Sequence, residues 1–142
     1  MRTSKLGTQW WQHTLPAEPR WITADELIAI NTRQVPNAFV RDRGLIEGAA
    51  AAPINAFAYA GVRDLLVLAV RLLHSVAMAH AFEDGNKRTA FFGAAAFLEL
   101  NGGVLAVADT EETAEWVVAM VERRIDQDEL CRRLRPFVVL PE

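Results

Sequence analysis

Two long apolar segments, residues 62–78 and 91–100, are joined across one polar interruption, His80-Ala81-Phe82-Glu83-Asp84-Gly85-Asn86-Lys87-Arg88-Thr89-Ala90. The first is broken only by Arg63, Asp64, Arg71, His74 and Ser75; the second carries Phe91, Phe92, Phe97, Leu98 and Leu100. A helix that is hydrophobic around most of its circumference must be covered on most sides, which places both segments in the middle of a bundle. The chain has 142 residues, 51% of them hydrophobic, with much alanine and few β-branched runs. That length supports one domain with a substantial core, and that composition favours helices. The predicted fold is therefore all-α, built on a central buried helix pair. An imidazole, two carboxylates, a glycine, an amide and two cations gather where the pair meets.

If the second helix begins near Gly85 or Asn86, its first N–H groups lack partners and carry about half a positive charge. Lys87 and Arg88 then add cations to an end that ordinarily prefers Asp or Glu. Such a start points to a bound anion, with phosphate the natural candidate. The competing reading is that Asp84 caps the helix through its carboxylate while Lys87 and Arg88 face water. His80, closing the first helix, has a structural reading too, as an imidazole favoured by the helix dipole. Its neighbours argue for more. A base, a cation holder and a phosphate cradle are the parts of phosphoryl or nucleotidyl transfer to a hydroxyl.

The formal net charge of −3 argues against a nucleic-acid binder driven by bulk charge, so any anion site must be local. The single Cys131 excludes an internal disulfide and leaves little scope for a thiolate metal site. No N-terminal stretch resembles a cleavable signal, and the apolar run around residues 65–73 falls short of the ~20 residues of a membrane span. A soluble, cytoplasmic protein is expected.

Residues 1–20 read as a polar extension, with Pro16 and Pro19 opposing helix and Trp10 and Trp11 available to dock on the domain or a partner. The domain proper is expected over 21–142. Thr23-Ala24-Asp25-Glu26 has the form of a capping box opening a helix to about Thr32, onto which Trp21 or Ile22 could fold back. Residues 35–40 read as loop. A short helix over 41–52, with Leu45 and Ile46 inward, is expected to stop at Pro53. In 54–61, Phe57 and Tyr59 alternate with small residues, which predicts a loop with some strand character, a short flap or hairpin. Asn101-Gly102-Gly103 is a strong helix stop, and 104–107 a brief extended piece. Asp109 or Thr110 caps a helix with Trp116, Val117, Met120 and Val121 inward and Arg123 and Arg124 in its last turn. A final helix starts at Asp126-Gln127-Asp128-Glu129 and ends before Pro136.

The string from His80 to Arg88 resembles the core motif of the Fic/Doc superfamily, HxFx(D/E)GN(G/K)R, at all its fixed positions. The Thr89-Ala90 that follows and the Phe97-Leu98-Glu99-Leu100-Asn101-Gly102 run resemble the Doc (death-on-curing) branch. The likeness extends over about residues 21–137, including Arg41-Asp42-Arg43-Gly44-Leu45-Ile46-Glu47. The order of the motif agrees with the helix-loop-helix context found independently.

The resemblance implies a Fic/Doc-type helical bundle and a role for each matching residue. His80 would be the general base for an incoming hydroxyl. Asp84 would hold Mg²⁺ on the phosphates of ATP. Gly85 and Asn86, with the helix-start N–H groups, would form an anion nest, and Arg88 would clamp a phosphate. Phe82 would be an apolar plug fixing the loop, and Phe57 and Tyr59 would lie in a flap that holds the target segment by strand addition. Glu83 stands at the variable position.

Lys87 bears on the reaction. Nucleotidyl-transferring Fic enzymes typically carry Gly there, whereas Doc toxins share the lysine, bind the nucleotide in the reversed sense and transfer its terminal phosphate. The target implied is a threonine of elongation factor Tu, and the outcome growth arrest. Gly85 is the nucleotidyl-transferase residue, which keeps AMPylation of a Ser, Thr or Tyr hydroxyl as the alternative. A non-catalytic binding module is a further alternative, opposed by the intact set His80, Asp84, Asn86, Lys87 and Arg88. The string Thr14-Leu15-Pro16-Ala17-Glu18-Pro19 is too rich in proline to be the inhibitory helix of many Fic proteins. The resemblance to the Doc branch implies that any inhibition comes from a separate antitoxin in trans; neither a membrane nor nucleic acid is expected as a direct partner.

Overall fold

A computed structural model describes residues 17–108 and 110–141, so the expectations for Trp10 and Trp11 lie outside the described residues. Six helices follow one another there: α1 (Ala24–Gln34), α2 (Arg43–Ala60), α3 (Leu65–Ala79), α4 (Asn86–Leu100), α5 (Glu111–Val121) and α6 (Gln127–Leu134). A 3₁₀ turn, Arg135–Phe137, leads into β2 (Val138–Val139), which pairs antiparallel with β1 (Val104–Leu105) in the register Val104 opposite Val139. The architecture is all-α apart from this pair. No helix among the described residues is long and apolar enough to cross a membrane.

The first of the two apolar segments forms α3, capped by the Asp64 carboxylate, which accepts from the N–H groups of Leu66 and Val67. It runs through the middle of the bundle, packed most extensively against α4 and α2, with α5 and α6 on its remaining side. Leu68 and Leu73 are fully buried, and each such side chain contributes about 1.5–3 kcal/mol of transfer free energy. At the N-terminal edge Trp21 stacks on Phe97 of α4 at 5.7 Å, while α1 opens with the reciprocal Thr23–Glu26 capping box. Thr110 caps α5, and Asp126 caps α6. Burial pushes the Cys131 thiol up to about 11, which keeps it protonated near neutral pH.

Helix α2 departs from expectation. It does not stop at Pro53 but continues to Ala60, and Gly61 closes it in the left-handed conformation at φ 70°. Proline at 53 removes the N–H that would bond the carbonyl of Ala49. The Ser75 hydroxyl of α3 lies 2.8 Å from that carbonyl and donates to it, with the carbonyl of Leu72 at 3.0 Å as its other acceptor. The helix therefore passes through its proline without a buried orphan, and the alanines around it favour continuation.

The flap expected at Phe57 and Tyr59 is accordingly corrected: both sit on α2, where residues two apart face different ways. Phe57 packs edge-on to Trp21 at 5.7 Å under the Arg63 guanidinium, and Tyr59 is 87% exposed. Leu45 is also corrected, being 45% exposed; the inward stripe of α2 is Ile46, Ala49, Ala50, Pro53 and Ala56. Arg123 and Arg124 lie beyond α5, not in its last turn.

Ser75→Ala should lower stability by about 1–3 kcal/mol, the cost of an unpaired buried carbonyl. In a Pro53→Ala background the restored N–H takes the Ser75 role, and the loss should shrink below about half of that. Urea unfolding of the four proteins reads the coupling; strictly additive effects would contradict the account.

Candidate active site

The segment from His80 to Arg88 joins the two buried helices, and three sets of contacts determine its shape. Asn86 uses both ends of its carboxamide on one residue: its Oδ1 accepts from the N–H of Phe82 at 3.0 Å and its Nδ2 donates to the carbonyl of Phe82 at 2.9 Å. Phe82 is buried beneath this loop at 1% exposure. Outside the loop, residues 39–41 run antiparallel to 81–83. Glu83 N–H donates to Phe39 O at 2.9 Å, Arg41 N–H to Ala81 O at 2.7 Å, and Val40 bridges Phe82.

The third contact comes from α1. Asn31, 2% exposed, lies on the buried stripe with Leu27 and Ile30, and its Nδ2 donates to the carbonyl of Asp84 at 2.9 Å and to the Thr89 hydroxyl at 3.0 Å. Val35, just past α1, packs on Gly85 so closely that a Cβ there would meet its Cγ2 at 2.6 Å. Gly85 also has φ 78°. Close approach and left-handed backbone both demand glycine at this position.

These contacts leave the start of α4 open. Gly85 precedes it with no side-chain cap, and the Asp84 carboxylate accepts from the N–H of Gly85 at 2.7 Å instead of capping the helix. The capping alternative for Asp84 therefore drops out. Lys87 and Arg88 are exposed in the first turn, without a carboxylate partner among the described residues. His80 is exposed at the end of α3 with φ 51° and ψ 39°, a left-handed conformation unusual for a residue with a Cβ. Such strain costs about 1–3 kcal/mol and tends to persist where function uses it.

A depression of about 230 Å³ is lined by Ala77, His80, Glu83, Asp84, Gly85, Asn86, Lys87 and Arg88. Every residue of the motif expected to bind or react is there. Phe82 lies beneath, and Phe57 and Tyr59 stand outside. Two carboxylates and two cations cancel in this hollow, so its positive bias comes from the unpaired N–H groups of α4. A narrower, mostly apolar cleft of about 190 Å³ between α4 and α5, lined by Phe91, Phe92, Thr113 and Val117 among others, shares Lys87 and Arg88. The two cations thus stand on the ridge between a polar and an apolar space.

Among the described residues no three His, Cys, Asp or Glu side chains converge on one point. A divalent cation beside Asp84 would have one protein carboxylate, with Glu83 near, and would complete its shell from water and phosphate. That donor set suits Mg²⁺, which characteristically binds in this way.

Two features of the site escaped sequence reasoning. The side chain of Asn86 fixes the loop, leaving only its backbone to an anion. Asn31 was unmarked, although a carboxamide four residues from Leu27 and next to Ile30 on a buried stripe is the available signal. Asn31→Leu should orphan the Asp84 carbonyl and Thr89 hydroxyl and lower stability by about 1–3 kcal/mol. Denaturant unfolding measures this; a loss under about 0.5 kcal/mol would contradict the clasp.

Residues 21–98 match the Fic/DOC family. Toxin Doc of Mycolicibacterium smegmatis is 36% identical over 100 residues, 69% of this chain and 77% of that protein. Protein kinase doc of Escherichia phage P1 is 30% identical over 120 residues, 82% of this chain and 94% of that protein. The motif, its helix-loop-helix setting and these matches agree: the chain belongs to the Fic/DOC family, on its Doc branch.

Proposed function

We propose that this protein is a Doc-type toxin kinase that transfers the γ-phosphoryl group of ATP to a Ser or Thr hydroxyl of a translation protein resembling elongation factor Tu, arresting growth. The observation that carries the reading is the uncapped start of α4, flanked by two cations with no carboxylate partner among the described residues and facing an exposed, strained His80. It is supported by the kinase named among the relatives, which the match spans almost end to end.

In this reading the triphosphate lies over the N–H groups of Asn86, Lys87 and Arg88, with the Arg88 fork on a phosphate oxygen. A ring nitrogen of His80 takes the proton of the attacking hydroxyl, whose oxygen bonds to the γ-phosphorus as the β–γ bridging oxygen leaves with ADP. Charge accumulating on the phosphoryl oxygens is met by the helix N–H groups and Arg88. Mg²⁺, held by Asp84, would neutralise phosphate charge when bound. Fixed donors of this kind require no reorganisation at the moment of reaction, which is why the loop is clasped from three sides.

Gly85 weakens the nucleotidyl-transfer alternative. Its φ and the contact with Val35 account for the glycine on packing grounds, without reference to nucleotide orientation. Target docking belongs to residues 39–41 rather than to Phe57 and Tyr59: Phe39 is 59% exposed beside the motif loop, and the extended backbone at Val40 offers an edge to an added strand. An antitoxin acting in trans is the partner implied by a toxin of this branch.

ATP labelled separately at the α and γ positions, incubated with candidate targets, tests the reaction directly. Label from the γ position on the target is expected; α-label would establish nucleotidyl transfer instead. His80→Ala should lower the rate by about 10²–10⁴-fold, the usual share of a general base, while the protein still unfolds normally. A rate within about tenfold of the parent would remove His80 from that role.

A further inference from the structure

Two stretches of the chain carry no Asp, Glu, Lys or Arg and have no part in the site at the motif loop: residues 6–17, which include Trp10 and Trp11, and residues 48–62, which form most of α2. Helix α2 packs chiefly on α3, with α1 as its other neighbour. Along one edge of it Ile54, Phe57 and Ala60 follow at intervals of three, the first two half-buried and the last exposed.

A cleft of about 310 Å³ opens at that edge, away from the motif loop, and Phe57, Arg63, Leu65 and Asn101 line it. Leu65, like Phe57, is only half-buried. The Arg63 guanidinium lies 4.1 Å over the Phe57 ring and donates to the Phe57 carbonyl at 3.0 Å. One face of the cation is thereby held on an aromatic ring. Arg63 is exposed, so its other face is open to a second ring, and an indole is the best partner for it.

The chain itself arrives at this cleft, because Ala17, the first described residue, lines it as well. The path beyond is pinned. Asn101 Oδ1 accepts from the N–H of Arg20 at 2.8 Å and its Nδ2 donates to the Arg20 carbonyl at 2.9 Å, while the Glu18 carboxylate accepts from the Trp21 indole N–H at 2.8 Å. These bonds fix the point from which the preceding residues start. Trp11 stands six residues before Ala17, a reach of about 20 Å at full extension, so the cleft is within range of both indoles. The tether also gives them the advantage of an intramolecular encounter over any free partner.

We propose that residues 6–16 fold back along this edge of α2 and seat one indole of the Trp10–Trp11 pair in the cleft, on the open face of the Arg63 guanidinium. Neighbouring residues of an extended chain point opposite ways, so the other indole stays outside the cleft. The segment is then a strap that ties the end of α2 and the start of α3 to the end of α4, and the uncharged edge of α2 is covered by the uncharged stretch of its own chain.

Nuclear Overhauser contacts in the full chain test this, with Trp10→Phe and Trp11→Phe assigning the two indoles. One of them should contact the Leu65 methyls and the Phe57 ring, and Arg63→Ala should shift its signals. In urea unfolding, Trp10→Ala combined with Trp11→Ala should raise the unfolding equilibrium constant by about tenfold or more, the scale of exposing one large apolar side chain. The increase should be smaller when Arg63 is already alanine, since the partners are coupled. A mixture of isotope-labelled and unlabelled chains separates a strap within one molecule from contact with a second copy. Indoles without contact to Leu65 or Phe57, contacts found only between chains, or an unfolding constant unmoved by the loss of both tryptophans would overturn the proposal.

Discussion

The hydrogen bonds of Asn31, which tie α1 to the carbonyl of Asp84 and the hydroxyl of Thr89, hold the turn on which the rest of the structure depends. The two most apolar helices meet at an angle set by this turn, and the turn cannot be shaped by apolar contact alone. Asn86 closes it from inside by gripping Phe82, and Asn31 closes it from outside through α1. Asn86 satisfies the N–H and carbonyl of Phe82, and Asn31 the carbonyl of Asp84 and the buried hydroxyl of Thr89; a buried group left unpaired costs about 1–3 kcal/mol. One buried and one half-buried carboxamide thereby fix a polar loop between two apolar helices.

Fixing the loop in this way leaves electrostatic tension at the surface. The α4 start has no cap, and two cations occupy the turn where anions are preferred, each costing about 0.3–1 kcal/mol when exposed. His80 adds the strain of a left-handed residue. These terms are small against the burial of α3, so the fold tolerates them. They all have the same remedy, a bound oxyanion, and that shared remedy links the architecture to phosphoryl chemistry.

Much of this was legible in the residues. The buried pair, the Thr23–Glu26 capping box, the Asn101-Gly102-Gly103 stop and the gathering of motif residues at one hollow follow from periodicity and local chemistry. Where reading failed, the decisive contact was distant in sequence. Pro53 reads as a helix stop because the Ser75 hydroxyl that relieves it lies on another helix, and the flap expected at Phe57 and Tyr59 failed with it. Asn31 reads as one more polar residue until Asp84 and Thr89 fold over it. The extended piece expected at 104–107 contains β1, but its pairing with β2 is not legible, because two short strands far apart in the chain carry no periodic signal. Local interactions can be read from sequence; contacts that satisfy one element from another need the fold.

The claim that the open start of α4 receives the phosphates can be tested at the backbone itself. Amide NMR of the full chain, recorded while Mg-ATP is added, follows the N–H groups of Asn86, Lys87 and Arg88 individually. The account predicts that these three signals move together and saturably with Mg-ATP and stay in place when adenosine alone is added. If ATP binds while these three amides remain unmoved, the phosphates lie elsewhere and the central claim is contradicted.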